Sequence, residues 1–194
     1  MNEIQPILEK TVAALSIVSG IQAIVLGGSR ARGNHTSSSD IDIGIYYEPE
    51  RNTNTPQLCR REVHYEPERN TPDFQVGAAF CRGEVHYDAG KLDLPGLNEA
   101  ARVVDDTHRE SLIAAPGEWG NWVNGGGWLT IDGYPVDFIL RDTSRVEKSI
   151  IDGQKGVVTS HYQPGHPHAF VNIMYMGELA ICKLLWKKMI GYLF

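Results

Sequence analysis

Apolar residues at Ile4, Ile7, Leu8, Val12, Leu15 and Ile17 recur mostly three or four positions apart, which predicts an amphipathic helix ending near Gly20. The unbroken apolar run "IQAIVLG" (21–27) predicts a buried strand, and Ser29 to Gly33 a tight turn or the start of a short helix. "DIDIGIYY" (40–47) alternates, as a second strand would. In "GWLTIDGYPVDFILRD" (127–142) two apolar-rich runs meet at Asp132-Gly133, a pair that favours a type I′ turn, so this stretch predicts a hairpin. "DTSRVEKSI" then opens a helix, with Ser144 and Glu147 spaced as a capping box. A last helix is predicted from about Val171 to Met189.

The middle of the chain breaks this order. "YEPERNTNTPQLCRREVH" (47–64) is followed by "YEPERNTPDFQVGAAFCRGEVH" (65–86), two copies that share "YEPERNT", a "CR" and "EVHY" at their junctions. With 47–86 removed, "DIDIGIY" runs into "YDAGKLDLPGLNEAARVVDD" as strand, turn and helix. The reading is one domain over 1–194 with a duplicated insertion just after the second strand. Two copies are too few for a solenoid, and a protruding hairpin or excursion is favoured over a substrate lid.

Composition narrows the class of partner. A formal net charge of −6 argues against general nucleic-acid binding or an anionic membrane surface, which need a basic footprint. Cys59, Cys81 and Cys182 make an odd count with no C-x-x-C pairing, as expected of free thiols in a reducing, cytoplasmic setting. The N-terminus lacks the basic and apolar regions of a signal peptide. The late apolar stretch is interrupted by Glu178 and Lys183, so no membrane span is expected.

The chemistry concentrates around the second strand. Successive side chains of a strand point to opposite faces, so Asp40 and Asp42 share one face while Ile41 and Ile43 bury on the other. Two carboxylates so close repel each other unless a cation lies between them, and Mg²⁺ is the natural oxygen-ligated choice when phosphates complete the shell. Upstream, Gly27, Gly28 and Ser29 follow a strand and precede a turn, where bare backbone N–H groups can cradle phosphate oxygens. Arg30 and Arg32 lie beside them as charge partners for a polyphosphate. Asp137, in "PVDFIL" on the outgoing strand of the hairpin, joins the pair if that strand lies beside the second one.

A Gly-Ser pair, ten residues, then Asp-Ile-Asp-Ile and a later Val-Asp-Phe resembles the DNA polymerase β-type nucleotidyltransferases. "GGSRARG…SDIDIGIYY" is most like the small bacterial members, antibiotic-modifying and minimal. The resemblance covers about 20–46 and 87–190. It implies an α/β (α+β) nucleotidyltransferase fold, a short mixed sheet with helices mainly on one face. It also implies transfer of NMP, most simply AMP, from an NTP to a hydroxyl of a small molecule, with release of pyrophosphate. On that resemblance Gly28 and Ser29 hold the outer phosphates. Asp40 and Asp42 bind Mg²⁺, Asp137 completes the metal site, and it or a nearby group takes the acceptor's proton. Glu178 and Lys183, on the last helix, are its candidates for a carboxylate near the acceptor and a lysine near the triphosphate.

Other features are weighed more plainly. His161, His166 and His168 in "HYQPGHPHAF" lack regular ligand spacing and read as a polar loop. Trp119, Trp122 and Trp128 read as core and turn packing before an acceptor platform. The chain stops soon after the last predicted helix, so a shortened helical part is expected, one that would leave Met189, Ile190, Leu193 and Phe194 without cover and invite a homodimer. Two alternative functions stay open: an antitoxin-type regulator acting on a protein partner, and a non-catalytic fragment.

Overall fold

The computed structural model describes residues 3–49, 91–162 and 169–188. Nearly all of the duplicated segment, Cys59, Cys81, His166, His168 and the apolar C-terminal residues from Met189 onward lie outside the described residues. The elements, in chain order, are α1 (Gln5–Leu15), β1 (Ile21–Leu26), α2 (Gly28–Arg32), β2 (Ile41–Tyr47), α3 (Leu94–Val104), α4 (Gly120–Val123), β3 (Gly126–Ile131), β4 (Tyr134–Asp142), α5 (Thr143–Gln154), β5 (Ser160–His161), β6 (Phe170–Val171), α6 (Met174–Ile181) and β7 (Lys183–Lys187).

Five strands form one mixed sheet in the order β3-β4-β2-β1-β7, in which β2 and β4 run parallel and the other neighbours antiparallel. The alternation of β2 sorts its side chains between two apolar layers. Ile41, Ile43 and Ile45 enter the larger core, with Ile7, Leu8 and Leu15 of α1 and Leu97, Ala101 and Val104 of α3. Tyr46 faces the other way, into a smaller cluster with Ala23 and Val25 of β1, Val146 of α5, and Tyr175 and Leu179 of α6. This is the mixed α/β sheet expected, with the main core under α1 and α3. The smaller layer on the opposite face leaves room for polar side chains. No helix among the described residues is long and apolar enough to cross a membrane.

The hairpin forms as its turn chemistry requires: Asp132 (φ 50°) and Gly133 (φ 81°) both take positive φ, the type I′ signature. Asp106 accepts from both turn N–H groups at 2.9 Å, and Lys10 pairs with Asp132 at 2.9 Å, which ties the tip to α1.

Three expectations need correction. α1 ends at Leu15, so Ile17 falls outside the helical period and is 84% exposed. α5 is capped by Asp142, whose carboxylate accepts from Arg145 N at 3.1 Å; the helix therefore starts before Ser144 and no Ser144–Glu147 box forms. Most consequentially, the predicted last helix is two elements. α6 stops at Ile181, Cys182 turns extended (ψ 154°), and Lys183–Lys187 pairs antiparallel with β1 as the edge strand β7. A short apolar run such as Leu184–Trp186 has no decisive period. The open edge of β1 supplies ladder hydrogen bonds, and Leu185 and Trp186 pack against the larger core.

Candidate active site

Strand pairing builds the site. β2 and β4 lie parallel with Asp42 directly beside Asp137, which puts both carboxylates on the face of the smaller cluster. Asp40, at the mouth of β2, joins them: one ligand atom from each of Asp40, Asp42 and Asp137 lies within 4.8 Å of the others. Hard carboxylate oxygens at that spacing are a donor set suited to a divalent cation such as Mg²⁺. Electrostatics point the same way. Burial first, then the charges of Asp40 and Asp42, push Asp137 up to about 6. Asp42 is also raised, by burial and then by Asp40 and Glu178, against a lowering by Arg32. Negative charge is being held together here at an energetic cost that a bound cation would relieve.

The turn after β1 lies against this carboxylate cluster. Gly27 is a correction: its N–H is not bare but donates to the carbonyl of Asp42 at 2.8 Å, which docks the loop on β2 and leaves that N–H no phosphate to hold. Gly28 opens α2 with φ +59°, and a Cβ there would lie 1.7 Å from Asp42 Oδ2. Only glycine lets the backbone come so near that carboxylate. Ser29 follows in the first turn of α2, where N–H groups have no intrahelical acceptor. Gly33 (φ +79°) also closes that helix left-handed, but a Cβ on it would meet nothing within 4 Å. Gly33→Ala should therefore carry left-handed strain alone, about 1 kcal/mol and a few degrees in Tm. Gly28→Ala should lose at least twice that, and should displace Asp42 as well. Equal melting temperatures for the two variants would refute the close-approach argument.

The remaining candidates divide. Arg32 is exposed, with Nε donating to Gly28 O at 3.3 Å, beside the loop and close enough to influence Asp42. Arg30 is a correction: it is buried, donating to the carbonyls of Ser39 (2.6 and 3.1 Å) and Asp40 (3.0 Å). A guanidinium spent on those carbonyls positions the segment that presents Asp40 and is not free for phosphate. Lys183 opens β7 opposite Leu26, one residue before the glycine loop, with an exposed side chain. Glu178 of α6 is chelated by Arg141, Oε2 accepting from Nε at 2.8 Å and Oε1 from Nη2 at 2.7 Å.

Sequence reasoning missed Arg141 and underrated Trp128. Arg141 lies four residues past Asp137 on β4, hence on the same face, and its side chain is only 10% exposed. Strand period alone could have placed it there. Trp128 is the cross-strand partner of Asp137. Counting back through the two-residue turn yields that register. Trp122, in contrast, is packed as expected, half buried against the smaller cluster and stacked on His161 at 4.2 Å.

A glycine-bearing loop lies against a strand carboxylate, and two more carboxylates converge on it, an arrangement that can hold a divalent cation. The chain belongs to the family described as "Nucleotidyltransferase domain", whose model matches residues 8–158. No curated protein and no solved structure matches the chain.

Proposed function

We propose that this protein transfers the nucleoside monophosphate of an NTP, ATP being the simplest donor, to a hydroxyl of a small molecule in the cytoplasm. The observation that carries the reading is the convergence of Asp40, Asp42 and Asp137 within 4.8 Å, with the Gly28 backbone against Asp42.

In this scheme the N–H groups of Gly28 and Ser29 hold the outer phosphates, Gly27 keeps the loop docked on β2, and Arg32 and Lys183 add positive charge at their edge. Asp40, Asp42 and Asp137 would hold Mg²⁺, which when bound would neutralise phosphate charge and favour loss of the acceptor's proton. Asp137, on the side of the triad away from the glycine loop, is placed to receive the acceptor's proton. The acceptor oxygen bonds to the α-phosphorus, the bond from that phosphorus to the bridging oxygen breaks, and pyrophosphate leaves. Glu178, both oxygens engaged by Arg141, acts as a positioning residue that fixes α6 over the site. The work is alignment and charge complementarity.

The test is a thermal shift against ATP, GTP, CTP and UTP with and without Mg²⁺, run beside the Asp40→Asn/Asp42→Asn double variant. A nucleotide at about 100 times its Kd should add about 2.7 kcal/mol, visible as a Mg²⁺-dependent rise in Tm that the double variant lacks. A cooperatively melting wild type that shifts with no nucleotide would end this reading.

A further inference from the structure

Trp128 is 64% exposed, while Leu129 and Ile131 beside it on β3 are buried in the larger core on the opposite face. Its register partner is Asp137, so the indole stands on the carboxylate face of the sheet as Asp137's immediate neighbour. Directly opposed residues of an antiparallel pair hold their Cβ atoms about 5 Å apart. Trp128 also stacks on Trp119, ring centroids 4.5 Å apart and planes 24° from parallel.

The pair is held from below. Trp119 passes over Gly126, where a Cβ would come within 3.1 Å of its Cζ3. The loop carrying Trp119 is anchored by buried Asn124, whose side-chain amide donates to Tyr47 Oη (2.8 Å) and Leu140 O (3.3 Å). The Asn124 carbonyl in turn accepts from Trp119 N at 3.0 Å. From the far edge, Arg109 Nη2 donates to Trp128 O at 3.0 Å. A wide apolar ring is thus kept in water beside a polar site by interactions that fix its position. Ligand sites commonly combine such a ring with a few convergent polar groups.

Sheet order says which substrate meets it. Across the face the sequence of features is glycine loop (after β1), Asp42 (β2), Asp137 (β4) and Trp128 (β3). In an in-line displacement the attacking oxygen enters opposite the leaving group. With pyrophosphate leaving from the glycine loop, the acceptor enters from the side of Asp137 and Trp128. Resting on the nucleotidyl-transfer reading above, we propose that Trp128, backed by Trp119, is the floor on which the acceptor lies, and that the acceptor is a small sugar-like ring. An indole face takes the C–H face of a saturated ring. The short distance to Asp137 requires the reacting hydroxyl to be on that ring or one carbon from it. A chain carrying a net charge of −6 disfavours a polyanionic acceptor.

The experiment titrates the intact protein with methyl glucopyranoside, methyl galactopyranoside and myo-inositol as ring probes and with sorbitol as the acyclic control, following indole emission. Trp128→Ala and Trp128→Phe are measured alongside, and the Mg²⁺–ATP thermal shift is recorded for each protein. A saturable emission change is expected with at least one ring probe and none with sorbitol. Trp128→Ala should weaken that probe about tenfold, Trp128→Phe should restore most of the loss, and nucleotide affinity should stay within twofold. Ring probes that bind Trp128→Ala as well as wild type, no ring probe binding, or sorbitol binding equally would each overturn the platform. A missing ATP shift in wild type with ring-probe binding intact would instead count against the transfer reading.

Discussion

An Asp42→Asn protein should melt at a higher temperature than wild type in the absence of divalent cation, yet lose about 10³-fold of its Mg²⁺-dependent nucleotide turnover. The loss corresponds to about 4 kcal/mol of transition-state stabilisation, the scale expected when one charged ligand of a metal site is removed. The gain in stability has the opposite origin. Asp42 is partly buried beside Asp40 and near Glu178, and all three push against its ionisation. A neutral amide of the same shape removes that repulsion. Wild type should show the same physics as a function of pH. Asp137 has a folded pKa raised to about 6, above the roughly 3.9 of an unfolded aspartate. The unfolded state therefore releases the proton first, and the stability this carboxyl lends in its protonated form is fully present below about pH 3.9. It is lost as pH rises toward 6, and added Mg²⁺ should recover it. A metal-free Asp42→Asn that melts below wild type, or one that keeps its turnover, would contradict this account.

Asp105 should show the largest effect on stability, with a pH slope of the other sign. Its side chain is fully buried at the end of α3 and accepts from Thr130 N at 2.9 Å, from Thr107 N at 3.2 Å, from the Thr107 hydroxyl, and from Arg109 Nη2 at 3.4 Å. Burial pushes this carboxyl up, but the hydrogen bonds from Thr107, Thr130 and Arg109 outweigh it and hold it well below the usual carboxylate range. Asp105→Ala strands the Thr130 N–H and the Thr107 donors, and should cost roughly 3 kcal/mol, or about 10 °C in Tm for a chain of this size. Because the folded pKa is depressed, the contribution is present above about pH 3.9 and is lost as pH falls toward the folded value. Wild type should therefore steepen in its loss of stability below pH 4, and Asp105→Ala should not. Equal acid slopes in urea melts of the two proteins would show that Asp105 is not the group responsible.

What could be read in advance follows from how local the controlling physics is. The strand period alone places Asp40 and Asp42 on one face and Ile41, Ile43 and Ile45 in the core. The positive-φ preference of Asp132-Gly133 sets the hairpin register, and with it the pairing of Trp128 with Asp137. The exposure of Trp128 does not follow from that register, because it depends on which helices cover the face. Asp137 becomes the third carboxylate only because β4 lies parallel to β2, across a sequence gap that includes the whole duplicated segment. Parallel pairing of distant strands leaves no short-range mark on either one. The same holds for the edge of β1, which turns Lys183–Lys187 into a strand, and for Arg141, which claims the carboxylate of Glu178. The strand faces, the turn and the glycine loop are legible along the chain, because dihedral preferences and a period of two within a few residues govern them. Which carboxylates meet, which arginine is spent on backbone carbonyls and which tryptophan remains in water are set by the assembled fold. Those outcomes depend on burial and charge balance between segments that come together only when the sheet is assembled.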